Sequence, residues 1–403
     1  MLPYGKQFID DSDISAVCEV LRSDWITQGP LVERFEFALA EFCHARYAVV
    51  VSSGTAALHL ACIVAGIQSG DEVITSPITF VASANAAAFC GGRPVFADIN
   101  SDTCNIDVCE IDKKIGSKTR AVIPVHFAGL PCEMEEIFAL SRKNGLVVIE
   151  DACHALGAEY KMKTSKNDIS HRDAERDDWI KVGSCSHSDM TVFSFHPVKH
   201  ITTGEGGAIL TNNRGYYERL LRLRSHGITK DSSHFVGTNS GSRGTWYYEM
   251  QELGYNYRIT DIQCALGLSQ LGKLERFVEK RRAIANRYNQ AFARIPQVQL
   301  PYESRSSRGA YHLYVLRIDF EKLGKNRAEI MDELRKRGVG TQVHYIPVHM
   351  QPYYRRVYSY KEGDFPVAES YYHKALSLPL YPAMTSEDTD SVIDSVKECL
   401  NVR

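Results

Sequence analysis

No GxGxxG follows the first apolar strand of this chain, and neither GxxxxGK[ST] nor HExxH occurs anywhere in it. Nicotinamide, nucleoside-triphosphatase and zinc-hydrolase chemistries therefore lack a starting point. The 11 cysteines include no CxxC pair and are odd in number. Several sit in apolar stretches (Cys18, Cys62, Cys90, Cys264) and read as reduced core residues, not disulfides or a zinc site. The histidines show no metal-ligand spacing, so no metal is expected. No run approaches the ~20 apolar residues of a membrane helix, and Met1 to Lys6 lacks the basic-then-apolar layout of a signal peptide. The expectation is a cytoplasmic protein without a membrane partner. Lys plus Arg (47) nearly balances Asp plus Glu (49). That balance provides neither a basic field for nucleic acid nor an acidic tail.

What is present is an α/β pattern. At 403 residues the chain exceeds most single cores and implies a large domain and a smaller one. Apolar strands are expected at Tyr47–Val51, Glu72–Thr75, Pro94–Ala97, Ala121–Val125, Leu146–Ile149, Thr191–Phe195 and Ala208–Thr211. Helical segments lie between them (Ala56–Ile67, Ala82–Phe89, Met134–Asn144). This alternation is the signature of βαβ units in a mostly parallel sheet. From Thr260 to about Phe292 the pattern predicts one long helix or two in tandem, connecting the domains. Beyond it, strands at Tyr311–Ile318 and Gly340–Tyr345, a helix at Arg327–Arg337 and a last helix at Ser386–Leu400 suggest a small α/β domain. The division is thus 1–259 for the large domain and 260–403 for the linking helix and small domain. The polar stretch Lys161 to Lys181 reads as an exposed loop insertion, and the Ser- and Gly-rich stretch Thr229 to Gly244 as another loop.

The candidate chemistry centres on Lys199, within Phe193-Ser194-Phe195-His196-Pro197-Val198-Lys199-His200-Ile201-Thr202-Thr203-Gly204-Glu205-Gly206-Gly207. Most lysines are solvated surface charges. This one follows a buried strand and precedes glycines that permit a tight return, a setting that suits a Schiff-base lysine. Asp151 follows the strand Leu146–Ile149, at the carboxyl end where open α/β sheets bind ligands. A carboxylate there can pair with a pyridinium nitrogen and keep it protonated; by itself it reads equally as a helix cap. His154 can stack on or hydrogen-bond such a ring, or be structural. Ser52 to His59 form a small-residue turn into a helix, where backbone N–H groups and the Thr55 hydroxyl make a phosphate cradle, although Ser and Thr cap most helices. Ser194 can approach the phosphate from the other side, or be an ordinary buried serine. Phe80 can stack on a pyridine face, or pack in the core. Together these features converge on pyridoxal 5'-phosphate.

At these residues the chain resembles the fold-type I, aspartate-aminotransferase-like pyridoxal phosphate enzymes, and within them the DegT/DnrJ/EryC1/StrS nucleotide-sugar aminotransferases. The resemblance spans nearly the whole chain. It is carried by Ser23 to Pro30, Ser76 to Ala82, Phe193 to Gly207, Arg224 to Ile228, Gly254 to Arg258 and Val343 to His349. It implies that Lys199 holds the cofactor aldehyde, Asp151 pairs with the ring nitrogen and His154 lies beside the ring. It also implies that Thr55, Ala56 and Ser194 hold the phosphate, and that Asn256 reaches the phosphate of a neighbouring subunit in a homodimer with shared sites. Thr27, Gln28 and His344 would lie near the nucleotide sugar. The implied reaction moves the amino group of L-glutamate to the C4 ketone of a UDP-4-keto-6-deoxy sugar. Alternatives are a different keto nucleotide sugar, or a regulatory protein of the same fold that binds the cofactor without catalysis. Lys199 argues against the family branch that has histidine at this position and dehydrates sugars.

Overall fold

The computed structural model describes residues 1–162, 179–236, 244–302 and 304–401. Its centre is a seven-stranded sheet. In chain order the strands are β1 (Tyr47–Val51), β2 (Glu72–Thr75), β3 (Arg93–Phe96), β4 (Thr119–Ile123) and β5 (Val147–Asp151). Two short strands follow, β6 (Glu159–Lys161) and β7 (Trp179–Lys181), outside this sheet. β8 (Met190–Ser194) and β9 (Gly207–Thr211) complete it. The order across the sheet is β1-β9-β8-β5-β4-β2-β3. Parallel pairing links β3, β2, β4, β5 and β8. β9 runs against both its neighbours and is reached from β8 through the loop 195–206.

Period-2 alternation divides the side chains between two cores. Val49, Val51, Ile149 and Val192 pack with the helices Gly54–Val64, Ala82–Phe89 and Arg214–Leu223. Ala48, Val50, Val148 and Phe193 pack with Pro30–Cys43, Met134–Lys143 and Asp261–Leu271. Each fully buried Val, Ile or Phe contributes about 1.5–3 kcal/mol relative to exposure. The same alternation has a consequence at the strand ends: Asp151 and Ser194 emerge on the face of the Gly54–Val64 helix, and Glu150 emerges on the other face.

The expected long helix is two, Asp261–Leu271 and Leu274–Phe292. The first starts at a capping box of Thr260 and Gln263, which satisfies two orphan donors reciprocally. Beyond the second, Val298–Gln299, Tyr314–Ile318 and Ala375–Leu378 form an antiparallel sheet around its own core. Residues 340–345, expected as a strand, make only an isolated bridge, Gln342 to Ser377. Their side chains Gln342 to Tyr345 instead line the central cavity. The strand in the sheet is the four-residue Ala375–Leu378, whose short apolar run directly follows a helix and carries too little periodicity to stand out.

The insertion predicted at Lys161 to Lys181 begins and ends in paired strand, because β6 pairs antiparallel with β7 and with Ser307–Arg308. Trp179 lies under the cations of Lys161 and Arg308. The rest of that insertion, and residues 237–243 of the second predicted loop, lie outside the described residues.

Candidate active site

A cavity of about 630 Å³ opens at the carboxyl ends of β5 and β8. This is the place where parallel sheets bind ligands. Lys199, Asp151, His154, Ser194, Thr55, Phe80 and His344 all line it.

Lys199 is carried by the loop between β8 and β9. Its N–H donates to His196 O at 2.9 Å, and the loop is closed by Phe195 N–H to Gly206 O at 2.9 Å and by Thr203 N–H to Phe195 O at 3.0 Å. Burial lowers the Lys199 pKa below its ordinary range, with Cys153 and Asp151 pulling the other way. A larger neutral fraction makes the amine a better nucleophile and base.

Asp151 is held at both oxygens. Oδ2 accepts from Ser83 Oγ at 2.6 Å and Oδ1 accepts from Cys153 N–H at 3.2 Å. Each carboxylate oxygen keeps a further lone pair for a ligand N–H. Its backbone is clamped to the segment just after β4, accepting from His126 N–H at 3.1 Å and donating to Pro124 O at 2.9 Å. His126 also fixes the neighbouring Glu150 on the opposite face of the sheet. Its Nδ1 accepts from Cys132 N–H at 3.0 Å, so Nε2 carries the proton and donates to Glu150 Oε2 at 2.7 Å.

His154 is buried, and its Nδ1 has no hydrogen-bond partner among the described residues. Its Nε2 lies 3.1 Å from Tyr345 Oη. Burial, assisted by the positive charges of Lys199 and neighbouring histidines, holds its pKa well below the usual value. The ring is therefore neutral at pH 7, and it stands 4.3 Å from that of His312. His344 Nδ1 meets Ser377 Oγ at 2.8 Å, and burial lowers the His344 pKa to about 4.

These depressed values have a consequence for stability. His154, His200, His312 and His344 all sit low in the fold, chiefly through burial. Unfolding releases them to take up protons below about pH 6.5. Their contribution is present above that pH and is lost as pH falls toward about 4, the folded value of His344. Chemical denaturation of the apoprotein from pH 7.5 to 4.5 is expected to show an unfolding free energy that falls steadily with acid, by a few kcal/mol in total. A flat profile would contradict the burial of these rings.

The start of the Gly54–Val64 helix closes the other side. Ser53 is its N-cap, accepting from Ala56 N–H at 3.1 Å. Ser53, Gly54 and Thr55 line the cavity; Ala56 is buried and does not, and its N–H is bonded to the cap. A Cβ on Gly54 would stand 2.8 Å from Ser194 Cβ, and one on Gly207 would stand 2.6 Å from the Ser53 carbonyl. The helix start, the end of β8 and the start of β9 thus meet with no room for a methyl group. The result is a concave cradle of N–H groups at a helix N-terminus, which suits a phosphate. Gly207→Ala would push the Ser53 backbone out of place, and its expected effect is a loss of pyridoxal phosphate affinity of at least about tenfold, read by equilibrium dialysis. Unchanged affinity would remove the cradle from consideration.

Phe80 lines the cavity yet is 58% exposed, so core packing does not explain it. Its ring is 6.3 Å from that of Tyr345. Thr27, Gln28 and Asn256 do not line the chain's own cavity. Thr27 O accepts from Asp261 N–H at 2.8 Å, and Gln28 Nε2 donates to Ile259 O at 2.7 Å, so this turn is tied to the start of the Asp261–Leu271 helix. Asn256 bridges to Ser225.

Sequence reasoning missed Ser83, Tyr345, His312, Cys153 and Tyr4, all but Ser83 lining the cavity. The one local signal was Thr79 and Ser83 at i,i+4, whose hydroxyls lie 2.7 Å apart.

Known proteins resemble this chain over nearly its whole length. SpsC of Bacillus subtilis, a spore coat polysaccharide biosynthesis protein, is 42% identical over 398 residues, 98% of this chain and 96% of that one. Among solved structures, Helicobacter pylori PseC, an aminotransferase involved in the biosynthesis of pseudoaminic acid, superposes with a TM-score of 0.87 at 32% identity, covering 99% of each chain. A sugar aminotransferase described as putative, Spr1654 of Streptococcus pneumoniae in its pyridoxal phosphate form, gives 0.86 at 28% identity, covering 99% of this chain and 98% of that one. The neighbours share the α/β fold with its mostly parallel sheet. The matching family description covers residues 7–397, and the chain therefore belongs to the DegT/DnrJ/EryC1/StrS aminotransferase family, as a pyridoxal phosphate-dependent sugar aminotransferase.

Proposed function

We propose that the chain moves the amino group of L-glutamate to the C4 ketone of UDP-2-acetamido-2,6-dideoxy-β-L-arabino-hex-4-ulose. The product is UDP-4-amino-4,6-dideoxy-N-acetyl-β-L-altrosamine, on the way to pseudaminic acid. The observation that carries the reaction type is the convergence of Lys199, Asp151, Ser194 and the Gly54–Val64 helix start on one cavity. The likeness to PseC supports the choice of sugar. The 42% identity to SpsC supports a second reading, a different keto nucleotide sugar bound for a surface polysaccharide.

Bound pyridoxal phosphate supplies an electron sink for the carbanion at the donor carbon. The protein supplies the rest. Gly54, Thr55 and Ser194 hold the phosphate, Asp151 accepts from the ring nitrogen and keeps it protonated, and His154 and Phe80 flank the ring. Lys199 Nζ takes the proton from the α-carbon of L-glutamate and, in the second half, returns one to C4 of the sugar. His344, Thr27 and Gln28 face the nucleotide sugar. Asn256 serves the phosphate of a second copy, making the enzyme a cytoplasmic homodimer with shared sites. Residues 1–259 form the cofactor-binding domain, and 260–403 the linking helices and small domain.

The test is to incubate the holoenzyme with L-glutamate and the proposed UDP-4-keto sugar, beside a C4-ketone nucleotide sugar of other configuration, and to follow 2-oxoglutarate and aminated sugar by mass spectrometry. Amination of the proposed sugar at a kcat/KM at least about 10-fold above the other supports the reading. The reverse preference moves the assignment to the SpsC-like alternative.

A further inference from the structure

A second cavity, of about 340 Å³, lies between the loop after β4, the Leu274–Phe292 helix and the strand Tyr314–Ile318. Phe127 partitions it from the site described above. It lines the second cavity while its ring stands 6.3 Å from both His154 and Tyr345.

The walls are apolar at Phe127, Leu130 and Leu313, and cationic at Arg282 and Arg317. Arg317 is only 7% exposed, yet its guanidinium meets carbonyl oxygens alone: those of Ser101, Asp102 and Leu300. Arg282 is held in the same way, by the carbonyls of Gly309, Gly157 and Arg308, through Nε and Nη2. Its Nη1 has no hydrogen-bond partner among the described residues. Neither arginine forms an ion pair among them, although the half-buried Arg282 also feels the negative charges of Glu159 and Glu279. A third lining arginine, Arg308, is paired with Glu159, and the lining carboxylate, Asp102, is exposed.

Removing a guanidinium from water is costly, and carbonyl dipoles offset only part of the charge. Arg317 carries this cost most fully, and with the partly compensated Arg282 beside it in a walled, half-apolar cavity the pair is preorganised for a counter-charge brought by a ligand. The volume falls at the lower end of small-molecule sites.

We propose that this cavity is a second binding site for a small organic anion, a carboxylate or phosphate on an apolar ring, with Arg282 and Arg317 taking the charge and Phe127, Leu130 and Leu313 the ring. This goes beyond the amino-transfer reaction and does not depend on which sugar is used.

The test is calorimetric titration of the pyridoxal phosphate-loaded enzyme with benzoate, phenyl phosphate and the neutral benzyl alcohol. The proteins compared are wild type, Arg282→Gln and Leu130→Trp. Arg282→Gln removes the unengaged donor, and Leu130→Trp fills the cavity without changing charge. The expected result is saturable binding of at least one anion to wild type, no binding of the alcohol, and about tenfold or greater weakening in Arg282→Gln. Leu130→Trp should abolish the event while basal amino transfer is retained in both variants. Should Leu130→Trp fail to fold, the Arg282→Gln titration alone decides. Which anion binds more tightly distinguishes a carboxylate from a phosphate ligand. The proposal is overturned if neither anion binds, if the alcohol binds equally, or if Arg282→Gln binds as wild type does. None of these outcomes bears on whether the enzyme transfers amino groups.

Discussion

Lys199→Ala is expected to lower the turnover of amino transfer by about 10⁴-fold or more. Among the described residues Lys199 is the one lysine lining the principal cavity, where burial lowers its pKa and raises its neutral fraction. In the proposed reaction it moves the proton at the donor α-carbon, and neither the neutral, sequestered His154 nor a hydroxyl replaces an amine for that step. Folding should be little affected, because the substitution removes a partly desolvated amine whose burial opposes the charged state. The control is chemical rescue. A small primary amine in solution restores the base without restoring the side chain, so methylamine should recover part of the activity of Lys199→Ala, with a rate that follows the concentration of unprotonated amine. Pre-steady-state loss of the donor α-proton, read with deuterated L-glutamate, checks it. Residual activity within tenfold of wild type would place the base elsewhere and end the assignment of Lys199.

How far the chain could be read in advance divides along a physical line. Asp151 and Lys199 were legible because one ends a buried strand and the other lies in the short segment just beyond one, so local pattern alone suggested both at one end of a parallel sheet. The cradle was partly legible: a Ser-Ser-Gly-Thr turn announced a helix start, but that Ser53 spends its hydroxyl on the Ala56 N–H is a fact of geometry. The groups that tune the site were not legible. Ser83 and Asp151 are 68 residues apart in sequence and Tyr345 and His154 are 191 apart, and no periodicity encodes such pairs. Residues 340–345 misled because the β-formers Thr341, Val343 and Tyr345 alternate with Gly340, Gln342 and His344, a pattern that reads as strand whether its side chains fill a core or line a cavity. The helices Asp11–Leu21 and Pro30–Cys43 carried signals that went unused, a capping box at Asp10 and Asp13 and a proline at the first helical position.

Asp151→Asn is the second substitution expected to have a large effect, about 10²–10³-fold in kcat, the scale of losing one preorganised electrostatic partner in a shielded site. The geometry makes it a clean test. An amide has the shape of the carboxylate, and Ser83 can turn its hydroxyl toward Thr79 Oγ1, 2.7 Å away, and accept from the amide nitrogen. The Cys153 N–H still finds the amide oxygen. Every local hydrogen bond is thus retained, and only the negative charge is lost. If Asp151 acts by keeping a ring nitrogen protonated, its charge is what matters, so Asn should retain the fold and bind the cofactor while failing in catalysis. Ser83→Ala keeps the charge and removes one donor, and should cost far less. The distinguishing readout is ¹⁵N chemical shift of the ring nitrogen in labelled pyridoxal phosphate bound to each variant: protonated in wild type and Ser83→Ala, unprotonated in Asp151→Asn. Should Asn and wild type show the same protonated nitrogen, the charge of Asp151 is not what sets it, and its contribution reduces to shape and orientation. The two substitutions therefore separate two halves of the same proposal. Lys199 tests where the proton goes, and Asp151 tests where the electrons are held, so a chain that passed one and failed the other would keep its fold and its cofactor but need a different account of the chemistry.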